Sequence, residues 1–244
     1  MRRTALVLGV ALVAALPQVA QGGPSAEPRL RIYAASSLTE VFPRIDRRPS
    51  YSFAGSNQLA LQVRQGAPAD VFASAAPTFT QGLFRERRVE RPRLFASNTL
   101  VLAIPRSNPA GLRSVFDLRR PGVKLVIGTA SVPIGAYTRR VLRNLGLTGV
   151  LSNLVSEEPD VKSIVGKVAL GEADAGFVYR TDIQPVRDRV RAILIPARGQ
   201  PKVRYELAVV RSSRDRAAAR AWVRMILTNA RARRLLRQAG FGLR

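Results

Sequence analysis

The chain has 244 residues, with no Cys, no His and a formal charge of +24 from 40 Lys and Arg against 16 Asp and Glu. Those absences exclude disulfides, thiolate chemistry, Ser-His-Asp and Cys-His machinery, and metal sites built on His or Cys. The basic excess points first to nucleic acid or an anionic membrane. All but four of the 40 basic residues are Arg, however, and they are scattered over every expected helix with few aromatics between them. They read as solvated faces, so no nucleic-acid partner is expected.

Met1-Arg2-Arg3, an apolar run over 5–16 and the small-residue site Ala20-Gln21-Gly22 have the form of a secretory signal. Residues 1–22 are therefore expected to be a signal peptide, cleaved after Gly22. The apolar run is too short to cross ~30 Å of hydrocarbon, which takes about 20 residues. No later segment is longer and as apolar, so no stable membrane insertion is expected. With no Cys there is no lipid-attachment site either.

The remaining chain, roughly 220 residues, alternates short apolar strands with helical patterns, the signature of an α/β protein. A strand at 30–34 leads to a short helix at 37–44, and a strand at 50–53 to a helix at 57–65 with Leu59, Leu61 and Val63 turned partly inward. A third strand at 71–73 precedes a helix over 77–87, and 99–104 is a continuous apolar run closed by Pro105. The pattern then restarts with a strand at 124–128 and an amphipathic helix from 132–135 to Leu145. Asp160 is placed to cap a helix over 161–170. Strands at 175–179, 192–195 and 205–210 follow, then helices at 215–227 and 230–238.

Two segments carry chemistry. A-A-S-S-L-T-E, residues 34–40, and F-A-G-S-N-Q-L-A, residues 53–60, both end a strand, turn on small residues and open a helix with a hydroxyl. Each sets a Ser side chain beside the free N–H groups of a helix start, which suits an anion. Neither segment contains Arg or Lys, so the donors are neutral. With G-A-P-A-D-V-F-A-S-A, residues 66–75, the set resembles the periplasmic molybdate-binding proteins of ABC importers, in the type II solute-binding family.

That resemblance implies a two-lobe α/β fold with mixed sheets flanked by helices and a ligand cleft between the lobes. The chain would cross between lobes near 104–107 and 202–207, giving one lobe from 30–103 plus 207–244 and a second from 104–206. The ligand implied is molybdate or tungstate, with another tetrahedral oxyanion such as sulfate as the alternative. No cofactor, no free metal cation and no enzymatic activity are implied. The expected partners are an ABC permease and its ATPase subunits, and the protein is expected to be a periplasmic monomer. No G-x-x-x-x-G-K-[ST] loop is present, so the ATPase is expected on another chain.

The site residues follow from matched motifs. Ser37 matches the second Ser of the family's A-A-S-S, and Ser56 the donor of its F-A-[GS]-S turn, with Gly55 allowing close backbone approach. The family's V-P-A-G is V-P-I-G here, which assigns the backbone N–H of Ile134, with a larger side chain at the pocket. The backbone of Val161 in D-V-K and the phenol of Tyr179 in G-F-V-Y-R-T-D complete the set. Ser36 is expected to shape its turn, Arg180 to point to solvent, and Asp70 and Asp174 to make structural turn bonds. One departure is R-I-D-R-R-P, residues 44–49, which leaves the first helix about two turns shorter than is usual in the family. Nucleophilic chemistry at Ser37 or Ser56 is disfavoured, because no His or S-x-x-K arrangement supplies a base.

Overall fold

The computed structural model describes residues 29–243, so the expected signal peptide lies outside the described residues. Ten strands run in chain order: β1 Arg31–Ala35, β2 Ser50–Ala54, β3 Val71–Ser74, β4 Arg93–Asn98, β5 Leu100–Pro105, β6 Leu125–Gly128, β7 Leu154–Glu158, β8 Ala175–Tyr179, β9 Val190–Leu194 and β10 Val203–Val209. Between them lie α1 Phe42–Ile45, α2 Ser56–Arg64, α3 Pro77–Arg85, α4 Pro133–Asn144 and α5 Val161–Ala169, with α6 Arg216–Thr228 and α7 Ala230–Gln238 closing the chain.

The strands form two five-stranded sheets of the same plan, ordered β2-β1-β3-β10-β4 and β7-β6-β8-β5-β9. In the first, β1 is parallel to β2 and β3 while β10 runs antiparallel to β3 and β4. In the second, β6 is parallel to β7 and β8 while β5 runs antiparallel to β8 and β9. The apolar strands β5 and β10 thus hold equivalent places in the two sheets. Their side chains are buried along most of their length, as a strand covered on both faces requires.

Sheet membership corrects the expected boundaries. The apolar run that was assigned to the first lobe is β5, and it belongs to the second sheet. The chain changes sheets at Thr99, between β4 and β5, and returns over 195–202, between β9 and β10. Pro105 ends a strand inside the second sheet and marks no crossing.

Local differences have local causes. The expected helix over 37–44 is a single 3-10 turn, Ser36–Leu38, followed by the four-residue α1 with Pro43 in its first turn. A proline there starts a new helix more readily than it continues an old one. In α2, Leu59 and Val63 are buried but Leu61 is 50% exposed. Residues i and i+4 share a face; the one midway points away. The strands β4 and β7 carry no sequence signal that separates them from loop, whereas the 3-10 segment Val115–Arg119 is opened by a capping box of Ser114 and Asp117 that the sequence reading passed over.

Arg216, Arg220, Arg224, Arg231, Arg234 and Arg237 on the two last helices are exposed, consistent with solvated basic faces. The opposite faces of these helices bury Ala219, Trp222, Ile226, Ala232 and Leu236. Trp222 meets Phe42 edge-on at 5.3 Å between ring centroids, which anchors the short α1. Among the described residues, no helix is long and apolar enough to cross a membrane.

Candidate oxyanion site

The parallel strands of both sheets aim their carboxyl ends at one small cavity of about 10 Å³ between them. In the first sheet, β1 delivers Ser36 and Ser37, β2 delivers Gly55 and Ser56, and β3 delivers Ala75. In the second, β6 leads to Val132, Pro133 and Ile134, β7 to Asp160 and Val161, and β8 ends on Tyr179. Carboxyl ends of parallel strands are where open α/β sheets place ligands. The volume is far below the ~300–1,000 Å³ of sites for drug-sized molecules and leaves room only for a very small group.

All five residues assigned from the motifs line this cavity: Ser37, Ser56, Ile134, Val161 and Tyr179. None is more than 4% exposed. The Ser56 hydroxyl accepts a hydrogen bond from the Ala75 N–H at 3.1 Å, which leaves its own proton free to be donated. Ser37 Oγ lies 2.9 Å from the Tyr205 hydroxyl. The Tyr179 hydroxyl is buried with no hydrogen-bond partner among the described residues. Burial pushes the Tyr179 phenol well above its ordinary range, so it stays protonated and has a proton to donate.

The backbone supplies further donors. Gly55 precedes α2 and Val132 precedes α4, and neither helix start has a side-chain cap. Pro133 has no N–H, so Ile134 carries the first amide of α4. In α5 the Asp160 carboxylate accepts from the N–H groups of Lys162 and Ser163, leaving the Val161 amide without a partner in its own helix. Asp160 is the one carboxylate that lines the cavity, and its Oδ1 accepts both of these capping bonds. Asp70 accepts from the Arg31 N–H and the Ser213 hydroxyl, and Asp174 from the Lys124 N–H; both make structural bonds, as expected, but to residues distant in the chain and not within their own turns. Arg180 is exposed, also as expected.

Two details differ from expectation. Ser36 lines the cavity in addition to shaping the turn through its carbonyl, which accepts from Thr39. The first motif opens only a three-residue 3-10 turn, so it contributes hydroxyls and not a helix dipole.

Contacts across the cavity join the halves. The place of a Cβ on Gly55 is 2.5 Å from the Pro159 carbonyl, so this glycine permits a backbone approach between the two sheets' loops. A Cβ on Gly135 would overlap the backbone of Gly128 and Thr129, which is why V-P-I-G keeps its glycine. Tyr137 of α4 donates to the Ala75 carbonyl at 3.4 Å, and Asn57 of α2 to the Ser131 hydroxyl at 3.3 Å. Lys162 lies 3.6 Å from Glu40 and 3.5 Å from the buried Asp182. Sequence reading missed Tyr137, Tyr205, Lys162 and Glu40, whose partners are distant in the chain.

The hydroxyls and helix-start amides around the cavity offer donors to an acceptor. Among the described residues no cluster of His, Cys, Asp and Glu suits a metal cation. The bacterial extracellular solute-binding protein family model matches residues 30–242. The chain belongs to that family. This solute-binding protein is 38% identical to the Molybdate-binding protein ModA of Mycobacterium bovis, over 92% of this chain and 89% of the relative. It superposes on the periplasmic molybdate-binding protein of Azotobacter vinelandii with a TM-score of 0.78 at 21% identity, covering 88% of this chain and all of that one. The sulfate-binding protein SubI of Mycobacterium tuberculosis gives 0.75 at 18% identity, over 87% of this chain and 86% of that one. The two solved structures share the fold, and all three proteins are named for binding and not for catalysis.

Proposed function

We propose that this protein captures molybdate or tungstate as a fully deprotonated dianion and delivers it to an ABC permease driven by separate ATPase subunits. Ser37, Ser56, Tyr179 and the backbone N–H groups of Ile134 and Val161 hold the ion. The observation that carries the reading is the buried Tyr179 hydroxyl, which has no hydrogen-bond partner among the described residues and lines a cavity shared with the hydroxyls of Ser36, Ser37 and Ser56, where the one carboxylate, Asp160, is engaged in capping its own helix. An unprotonated oxyanion offers acceptors only, and each hydrogen bond to such a charge contributes ~1.5–3 kcal/mol. The near relative named for molybdate supports the choice of ion.

The segment 31–98 with 203–243 forms one lobe and 100–194 the other, and closing them around the ion excludes water and strengthens every contact. Export by the signal peptide places a monomeric protein in the periplasm, where it meets the permease. Calorimetric titration with molybdate, tungstate, sulfate and phosphate tests the reading. Heat from one molybdate or tungstate per chain, with weaker sulfate, supports it. No heat with either metal oxyanion overturns it, and sulfate alone reassigns the ligand.

A further inference from the structure

Behind the cavity lies a buried chain of hydrogen bonds that the oxyanion reading does not use. Tyr205 is fully buried and does not line the cavity. It sits in β10 where the pairing with β4 slips between Tyr205 and Glu206, a bulge that re-aims side chains. Its ring is fixed by edge contacts with Phe95, Tyr179 and Phe241 at 5.4–6.1 Å between centroids. Its hydroxyl is 2.9 Å from Ser37 Oγ and 3.5 Å from Asn98 Nδ2.

The direction of this chain can be assigned. Asn98 Oδ1 accepts from the Thr99 N–H at 2.9 Å, which orients the amide and turns its Nδ2 to Thr181 Oγ1 and to the Tyr205 oxygen. Tyr205 stays protonated, since burial pushes its phenol well above the ordinary range. Asn98 offers that phenol only a donor, so its proton has Ser37 Oγ as its acceptor. Ser37, already accepting, must send its single proton elsewhere, and the cavity is on its other side. The reverse arrangement would leave the buried Tyr205 proton with no acceptor.

Resting on the oxyanion reading, we infer that Tyr205, oriented by Asn98, is a positioning residue that turns the Ser37 proton into the cavity and thereby excludes oxyanions that still carry a proton. An acid proton on the ligand would meet another proton at Ser37. Without Tyr205 the Ser37 hydroxyl rotates freely and can accept as well as donate. Loss of the relay therefore weakens binding of the unprotonated dianion and relaxes discrimination against hydrogen phosphate, which has the same charge but keeps a proton.

The test is a double-mutant cycle on the full mature protein, with Tyr205→Phe, Ser37→Ala and the double variant. Each is titrated with molybdate, tungstate, sulfate and hydrogen phosphate, and unfolded with urea in the absence of ligand. The expected result is about tenfold weaker binding of the preferred dianion in Tyr205→Phe. A smaller ratio of unprotonated-oxyanion to hydrogen-phosphate affinity accompanies it, and Tyr205→Phe has no further effect on a Ser37→Ala background. Additive losses, or an unchanged selectivity ratio, would overturn the inference and return Tyr205 to a packing role. Unchanged affinity in Tyr205→Phe beside a weakened Ser37→Ala overturns the relay alone. A wild type that binds none of the four ions overturns the oxyanion reading and the relay with it. If Tyr205→Phe does not fold, Asn98→Ala interrupts the same chain one step back and must show the same non-additivity with Ser37→Ala.

Discussion

Tyr179 carries the sharpest contrast between free and bound states at the level of single residues. A buried hydroxyl without a partner costs about 1–3 kcal/mol, so Tyr179→Phe should leave the free protein as stable as wild type or slightly more so. The same change should weaken oxyanion binding about tenfold or more. Urea unfolding and calorimetry on one preparation check both signs. Ser56→Ala differs in kind, because the Ala75 N–H donates to the Ser56 hydroxyl. Its loss should weaken binding and also lower stability by about 1–3 kcal/mol, since a buried amide loses its acceptor. The residue types were legible from the motifs because Ser, Gly and a strand-ending Tyr sit in short contiguous patterns. What stands behind them was not: Ser37 and Tyr205 are 168 positions apart. Nothing in Y-E-L-A-V-V distinguishes a relay tyrosine from a core one.

Asp182 belongs to the same scale. Burial pushes its carboxyl up from 3.8 to about 6, opposed by the Lys162 ammonium, which also faces Glu40; Asp160 adds a further upward push. The protonated form is thus the one the fold prefers. The stability this group contributes is full below 3.8 and is lost as pH rises through about 6. Asp182→Asn removes that dependence. The stability of wild type relative to the variant should therefore fall between pH 4 and 6, measured by urea unfolding without ligand. Carboxylates held low by Arg, such as Glu86 and Glu90, act in the opposite sense in both proteins and cancel in the difference.

Among the elements, six parallel strands each end at the cavity, and the loops that follow are short and rich in small residues. Gly55 shows why. It has ordinary backbone angles, φ −58° and ψ 136°, so Ala suits the turn itself. The obstacle is the Pro159 carbonyl on the facing loop, 2.5 Å from the place of a Cβ. Gly55→Ala should therefore spare the stability of the free protein while holding the lobes apart. Small-angle scattering should show less contraction on adding molybdate, with weaker affinity. Contraction equal to wild type would show that the loops can yield. Strand and helix positions were largely readable from apolar runs and caps, α5 with its Asp160 cap best of all. The edge strands β4 and β7 were not, because half-exposed short strands carry little apolar signal. The assignment of β5 to a sheet was equally hidden, since periodicity describes a strand and says nothing about its neighbours.

At the scale of the whole molecule, the chain passes between two sheets of one plan at Thr99 and over 195–202, and the cavity lies between them. Its lining residues are almost wholly buried, with contributions from both halves. Donors on both halves make time a property of the protein as much as affinity is. An ion held by donors from both halves is released when the halves part, so the escape rate should follow the rate of opening more than the number of hydrogen bonds. Stopped-flow displacement should give one dissociation rate that does not depend on the concentration of the competing ion. Gly55→Ala should raise that rate more than it changes the rate of capture. A protein with this architecture holds its cargo by a clock, and whatever receives the ion must prise the halves apart to hasten it.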